Sequence, residues 1–394
     1  MVFVFVTVIV NTYQQSVISN QSSNMKIGIL TLPLHTNYGG ILQAYALQTV
    51  LERMGHEVEI IDGVKFKTKG FRPLIKYWIA KILVPLKLWK ILDMFKMSIY
   101  AKTYYTNQFI KKYIHVKQFQ NIDSLTEQAV DAIVVGSDQV WRAEFFGEKK
   151  FDMAFLSFTK GWKIKRIAYA ASFGSDEWDV GPEMTSKCKE AVSHFDAVSV
   201  REKSGIIICK NKLNVKAVQL IDPTLLLKSN DYDALLAKRK AMRIPFIMSY
   251  IIDSDNNKSE ICNKLSSILN MPIVSANSRV EDTSGQNFSL AEQIQPPVED
   301  WLNKIRNADF VITDSFHACL FSIIYQKQFY VTGNQYRGMA RFQSILEMLG
   351  LQDRLIYDVN MIDCNNRIDY SKVNSILKNK INESTDFLYK HLME

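Results

Sequence analysis

Cysteine is scarce and scattered. The 394-residue chain has five, Cys188, Cys209, Cys262, Cys319 and Cys364, with no CxxC pair among them. An odd, unspaced set argues against a disulfide framework and a clustered zinc site, and fits the reduced thiols of a cytosol. Cys319 lies inside an apolar helical stretch, so it reads as packing rather than as a nucleophile. Long apolar runs are also missing. The opening MVFVFVTVIV is too short to cross a bilayer. It has no basic leader and no small-residue cleavage site behind it, so it is a poor signal peptide. Residues 1–24 are expected to be an extension without a folded role, with a membrane anchor as the alternative. No internal repeat, GxGxxG fingerprint, metal-ligand motif or nucleic-acid module is present.

What remains is an ordinary globular composition, 47% apolar and 22% charged. The net charge of +8 is concentrated in one segment. Residues 65–102 hold ten Lys and Arg against Asp93 alone, interleaved with Trp78, Trp89, Tyr77 and Phe95. Such helices suit either an anionic membrane surface or packing with solvated lysines.

The pattern elsewhere alternates short apolar strands with amphipathic helices, which predicts an α/β fold with parallel sheets. KIGILTL (26–32) is a buried strand, followed by His35-Thr36-Asn37-Tyr38-Gly39-Gly40, a helix to Met54 and the strand EVEIID (57–62). The glycine pair allows close approach of backbone to a ligand, or simply a tight turn. AIVVGS is followed at once by Asp138, RIAYAASF ends at Ser172, and DAVSV ends at Arg201. Polar residues beyond the carboxyl ends of parallel strands are where open α/β sheets bind ligands. Asp222-Pro223-Thr224 reads as the exit of this half. A polar stretch from Lys228 to Arg243 is the expected crossing to a second α/β set. This divides the chain into 25–227, with the basic insertion at 65–102, and 228–394 with terminal helices.

The second half centres on DFVITDSFHACLFSIIY (309–325). Phe310–Thr313 reads as a strand, Asp314 and Ser315 as side-chain caps, and Phe316–Tyr325 as a buried helix. His317 in the first helical turn is either an acid–base group beside a bound anion or a packed histidine. Tyr336-Arg337-Gly338-Met339-Ala340-Arg341 forms a basic loop leading into a helix that ends near Gly350.

NYGGILQAYALQ, VVGSDQVW, YAASFG, VSVREKSG, LIDPTLLL and ADFVITDSFHA follow in the order and spacing of the polysaccharide pyruvyl transferase family, which the chain resembles over about residues 25–355. The resemblance implies two Rossmann-like domains facing across a cleft, as in B-type glycosyltransferases. It implies transfer of the enolpyruvyl group of phosphoenolpyruvate to a sugar of a capsule, exopolysaccharide or cell-wall polymer, giving a pyruvate ketal and phosphate. It places the general acid on His317 and a donor contact on Arg201. With those roles, Arg341, Arg337, Ser315, Ser172, Asn37, Gly39 and Gly40 are the expected substrate contacts. Asp138 would orient or deprotonate the sugar hydroxyl, and Asp314 or bound phosphate would offset the helix end beside His317. No metal or cofactor is expected, and the acceptor is a sugar or lipid-linked oligosaccharide. The expected location is cytoplasmic, with residues 71–100 in peripheral contact with membrane as one possibility. A nucleotide-sugar glycosyltransferase and a non-catalytic binding protein on the same fold are the competing readings.

Overall fold

The computed structural model describes residues 24–62, 82–86, 88, 91, 101–119, 122–236, 239, 244–278, 289–333 and 338–394. Nearly all of the expected N-terminal extension, most of the basic segment and Arg337 lie outside these residues.

Among the described residues, two wholly parallel sheets organise the chain. The first has seven strands: β1 (Lys26–Leu30), β2 (Glu57–Asp62), β3 (Val116–Gln118), β4 (Ala132–Val135), β5 (Lys165–Ala171), β6 (Ala197–Val200) and β7 (Val218–Gln219). Their spatial order is β3-β2-β1-β4-β5-β6-β7. The second has five: β8 (Ile247–Tyr250), β9 (Ile273–Ser275), β10 (Phe310–Thr313), β11 (Gln328–Thr332) and β12 (Leu355–Ile356), in the order β12-β11-β10-β8-β9. β1, β4 and β10 are apolar runs with both faces covered, which is the residue pattern a central parallel strand requires. The α/β expectation of two such halves holds.

Strand order reverses between β1 and β4 in the first sheet and between β8 and β10 in the second. The chain therefore leaves neighbouring strands in opposite directions there, and a crevice opens at their carboxyl ends. The turn after β1 carries Asn37, the turn after β4 carries Asp138, and the first turn of the helix after β10 carries His317.

Helix α1 (Tyr38–Arg53) begins three residues earlier than the sequence suggests, so Gly39 and Gly40 belong to its first turn rather than to a loop. Asn37 is the N-cap, its side chain accepting from the Gly40 amide at 3.2 Å. Gly55, at φ +97°, follows the helix as a glycine after a C-cap should. In the second half, α7 (Phe316–Ile324) follows β10, with α6 (Val298–Asn307) packed beside it. Between these come α2 (Tyr104–Tyr113), α3 (Pro182–Val192), α4 (Lys203–Ile208) and α5 (Asn256–Leu269). α8 (Ala340–Leu349) and α9 (Tyr370–Met393) complete the chain.

One core cluster runs through both halves. It joins Ile41, Leu42 and Leu47 of α1 to Phe316, Leu320 and Phe321 of α7. Tyr38 lies against Trp301 with ring centroids 5.3 Å apart, and its hydroxyl donates to Pro296 O at 2.8 Å. Trp301 in turn meets Phe321 edge-on at 5.4 Å. Aromatic pairs of this kind add about 0.5–1.5 kcal/mol each beyond the apolar area they bury. The terminal helix spans the two halves. Lys165 Nζ donates to His391 O and Leu392 O, and Ser384 Oγ accepts from Ile221 N.

Candidate active site

A β-bulge shapes the first side of the seam. The register between β5 and β6 slips between Ala168 and Ala171, and Ala170 adopts φ +44°. Ser199 Oγ fills the gap, accepting from Ala170 N and donating to Ala168 O, both at 2.9 Å. Beyond the bulge, Ser172 Oγ donates to Glu202 Oε1 and accepts from Gly174 N at 3.1 Å. Ser172 is thus committed to holding a buried carboxylate. Asp138 sits at φ +62°, a left-handed position that Asp tolerates better than most residues. Its carbonyl is pinned by the Val140 and Ser172 amides.

Arg201, at the end of β6, is not a surface residue. Its side chain is 3% exposed and its guanidinium faces three carboxylates. Nη1 donates to Asp222 Oδ2 at 2.6 Å, Nη2 lies 3.4 Å from Asp138 Oδ1, and Nε lies 3.7 Å from Glu202 Oε1. Burial alone would lower its affinity for the proton, but Asp222, Glu202 and Asp138 more than reverse that. Burial pushes the Glu202 carboxyl up, against the pull of Arg201 and Ser172. Both Arg201 and Arg341 stack on the Phe316 ring, with Cζ 4.4 and 5.3 Å from its centroid. Burial, then the neighbouring Arg201, brings Arg341 down to about 10.

His317 comes from the opposite half. It is the second residue of α7, buried, and its ring lies against the backbone of α1. A Cβ built on Gly39 would stand 2.0 Å from His317 Nδ1, so the imidazole occupies the space a side chain would need. Nε2 points to Asp222 Oδ2 at 3.6 Å. That oxygen also accepts from Arg201 and from Ser137 Oγ at 3.2 Å. Asp222 Oδ1 accepts from Thr224 N at 3.0 Å and Thr224 Oγ1 at 2.8 Å. Burial would raise the Asp222 carboxyl, but His317, Arg201 and the Thr224 amide hold it below the usual carboxylate range.

A second contact closes the seam. Gly338 has φ +85°, and a Cβ there would stand 2.1 Å from Gly174 O. The halves therefore meet backbone to backbone. On the same side, Lys203 N donates to Ser344 Oγ at 3.1 Å.

Two sequence expectations need correction. Asp314 accepts from Ile252 N, Asp253 N and Lys258 Nζ, the last at 2.9 Å, so it orders the β8 and β10 turns. The carboxylate at His317 Nε2 belongs to Asp222. Ser315 is the N-cap by position, but its side chain makes no capping bond. Where the facing halves meet, Asp138, Arg201, Glu202, Asp222, His317 and Arg341 are all buried.

Asp222 is the main residue that sequence reasoning passed over. Its signal was present, an Asp-Pro directly after a buried apolar stretch, but it read as a chain exit. Gln139 and Ser204 were also passed over. Among the described residues, buried polar atoms without a hydrogen-bond partner include His317 Nε2, Arg201 Nε, Glu202 Oε2, Gln139 Nε2 and Ser204 Oγ. Each such orphan costs about 1–3 kcal/mol. Their gathering at one seam marks it as a place where another molecule completes the bonding. Cys319 is packed in α7, and burial pushes its thiol up, away from nucleophilic use.

The arrangement pairs an imidazole with guanidinium groups and carboxylates across two halves, next to the first turns of α1 and α7. It can protonate a bound anion's carbon or oxygen and accept a proton from a hydroxyl. Among solved structures, a glycosyltransferase from Rickettsia africae superposes with a TM-score of 0.47 at 10% identity, over 94% of this chain and 99% of that one. A glycotransferase of kitacinnamycin gives 0.46 at 11%, over 94% and 100%. An S. aureus MnaA–UDP structure gives 0.45 at 12%, over 94% and 91%. No curated protein matches the chain. The family model for polysaccharide pyruvyl transferase matches residues 37–336, a span that includes Asn37, Asp138, Arg201, Asp222 and His317. The chain belongs to the polysaccharide pyruvyl transferase family of enzymes.

Proposed function

We propose that the enzyme moves the enolpyruvyl group of phosphoenolpyruvate onto a sugar of a surface-glycan precursor. The observation that carries this is His317, held across the seam from Arg201 and Asp222 with its Nε2 3.6 Å from the carboxylate. A proton passes from His317 to the donor methylene, which becomes a methyl group and leaves oxocarbenium character at the next carbon. One sugar hydroxyl adds there. A second displaces phosphate by breaking the carbon–oxygen bond to it. Of the two hydroxyl protons, one balances the methyl group and the other leaves with phosphate. Asp138 is the base for the hydroxyl.

Fixed positive charge suits a donor with a carboxylate and a phosphate. Arg341 and Arg201 are the candidates for that contact. Arg201 is already engaged with carboxylates, so it would have to exchange one of them for the donor. Arg337 remains a candidate outside the described residues. Asn37, Gly39, Gly40 and Ser315 contribute backbone donors at the two helix starts, and Ser172 acts through Glu202. The donor carries its own activated carbon, so no cofactor enters the scheme. Because the catalytic groups are buried, substrate entry requires the seam to part.

The acceptor is a sugar, free or lipid-linked. Exposed Ile82, Leu86, Leu88 and Ile91 lie in the basic segment and support peripheral contact with an anionic membrane on the cytoplasmic side. No helix among the described residues is long and apolar enough to cross a membrane. A second reading, transfer from a nucleotide sugar, is favoured by a polar cleft of about 320 Å³ at the carboxyl ends of β8 and β9, lined by Ser249, Lys258, Ser275 and Asn277.

The test is phosphate release from phosphoenolpyruvate with a panel of methyl glycosides of glucose, galactose and mannose. Acceptor-dependent release supports the proposal. No release with any acceptor, together with saturable binding of a nucleotide sugar, would replace it with the second reading.

A further inference from the structure

We propose that Asp222 is a positioning residue for His317, one that orients the imidazole from its Nε2 side and gives it a counter-charge. The inference rests on the pyruvyl transfer reading above.

The argument starts from the electrostatics of the site. His317 is the second residue of α7, and its ring lies on Gly39, the second residue of α1. Two helix N-termini therefore face the imidazole, and each disfavours its cationic form. Arg201 adds a full positive charge from β6, and Arg341, from α8, stacks with it on Phe316. Asp138 and Glu202 offer negative charge, but both are turned to Arg201. An acid at this point needs its own counter-charge, and Asp222 Oδ2 is the carboxylate oxygen at Nε2.

Asp222 is clamped. Its two oxygens accept four hydrogen bonds, from Arg201, Ser137 and twice from Thr224. It cannot swing toward the histidine. The approach from 3.6 Å to hydrogen-bond distance, under an ångström, belongs to His317 and the half that carries it. A shift of that size in His317 completes the Nε2–H to Oδ2 bond. With Nε2 so occupied, Nδ1 is the remaining ring nitrogen, and it lies against Gly39 of α1.

A purely structural Asp222 would act only as the counter-ion of Arg201. The two roles separate in a pH profile. Phosphate release from phosphoenolpyruvate, with whichever methyl glycoside the wild type accepts, is followed against pH for wild type, Asp222→Asn and Asp222→Glu. The proposal expects kcat for Asp222→Asn to fall at least 30-fold with KM changed less than about threefold. It also expects the alkaline limb of kcat to move down by one pH unit or more, and Asp222→Glu to recover part of both. An alkaline limb at the wild-type pH overturns it. Should circular dichroism show Asp222→Asn unfolded, Thr224→Ala replaces it. That variant removes the Oγ1 bond to Oδ1 and keeps the amide bond, and the same limb must shift in the same direction or the proposal fails. If wild-type protein releases no phosphate, the transfer reading itself is at fault. An unshifted limb in active protein faults Asp222 alone.

Discussion

Gly39 and His317 meet across the seam so closely that a single methyl group at residue 39 would overlap the imidazole, 2.0 Å from Nδ1. The first half thereby sets the position of the acid carried by the second. Gly39 is helical, so it is needed for the space it leaves and not for a special backbone angle.

Gly39→Ala should therefore leave a folded protein with little activity. Alanine gains about 1 kcal/mol over glycine inside a helix, which partly offsets the overlap. The displaced imidazole should cost about 100-fold or more in kcat. Steady-state kinetics and thermal unfolding on the same preparation check this. Near-normal kcat would mean that His317 need not touch α1.

Gly338→Ala should loosen the seam from its other end. Its Cβ would stand 2.1 Å from Gly174 O at a φ of +85°, and a left-handed non-glycine residue costs about 1–3 kcal/mol by itself. The expected outcome is lower stability with kcat and KM both impaired, because closure and binding are affected together. Unchanged kinetics would show that the Gly174–Gly338 contact is incidental.

Arg201→Ala should be the most destabilising of the single changes. It leaves Asp138, Glu202 and Asp222 buried without their shared cation. Breaking a buried ion pair by removing one partner costs about 3–5 kcal/mol. Urea unfolding measures it, and a loss under 1 kcal/mol would contradict the cluster as described.

Acid should weaken the fold partly through Asp222. Its carboxyl is held below the usual range in the folded chain. The unfolded chain therefore binds a proton first on acidification. The stabilisation is present above the ordinary aspartate value of about 4 and is lost as pH falls through the folded value. Wild type should exceed Asp222→Asn in stability at pH 7, and the gap should narrow below about pH 4. A gap that stays constant with pH would contradict a paired Asp222.

Most of the fold was legible because parallel strands are continuous apolar runs. Glu57–Asp62 and Phe310–Thr313 match their expected spans residue for residue. Short elements were not: β3, of three residues, reads VKQ and is a strand only because it pairs with β2. The site was legible wherever a motif sits at a strand end, as with Asp138, Arg201 and His317. It failed where two neighbours in sequence turn opposite ways. Asp314 and His317 are three residues apart, yet Asp314 turns to the β8 loop and Lys258, while His317 turns across the seam to Asp222. No periodicity announces that Asp222, 95 positions earlier in the chain, will be the carboxylate at Nε2. It depends on how two sheets meet.

The most direct measurement is transfer run in deuterated water, with the ketal product examined by NMR. The account predicts that wild-type protein forms a pyruvate ketal whose methyl group carries one deuterium, with matching phosphate release. It predicts no ketal from a folded His317→Ala variant. A ketal formed by that variant at close to the wild-type rate would contradict His317 as the acid.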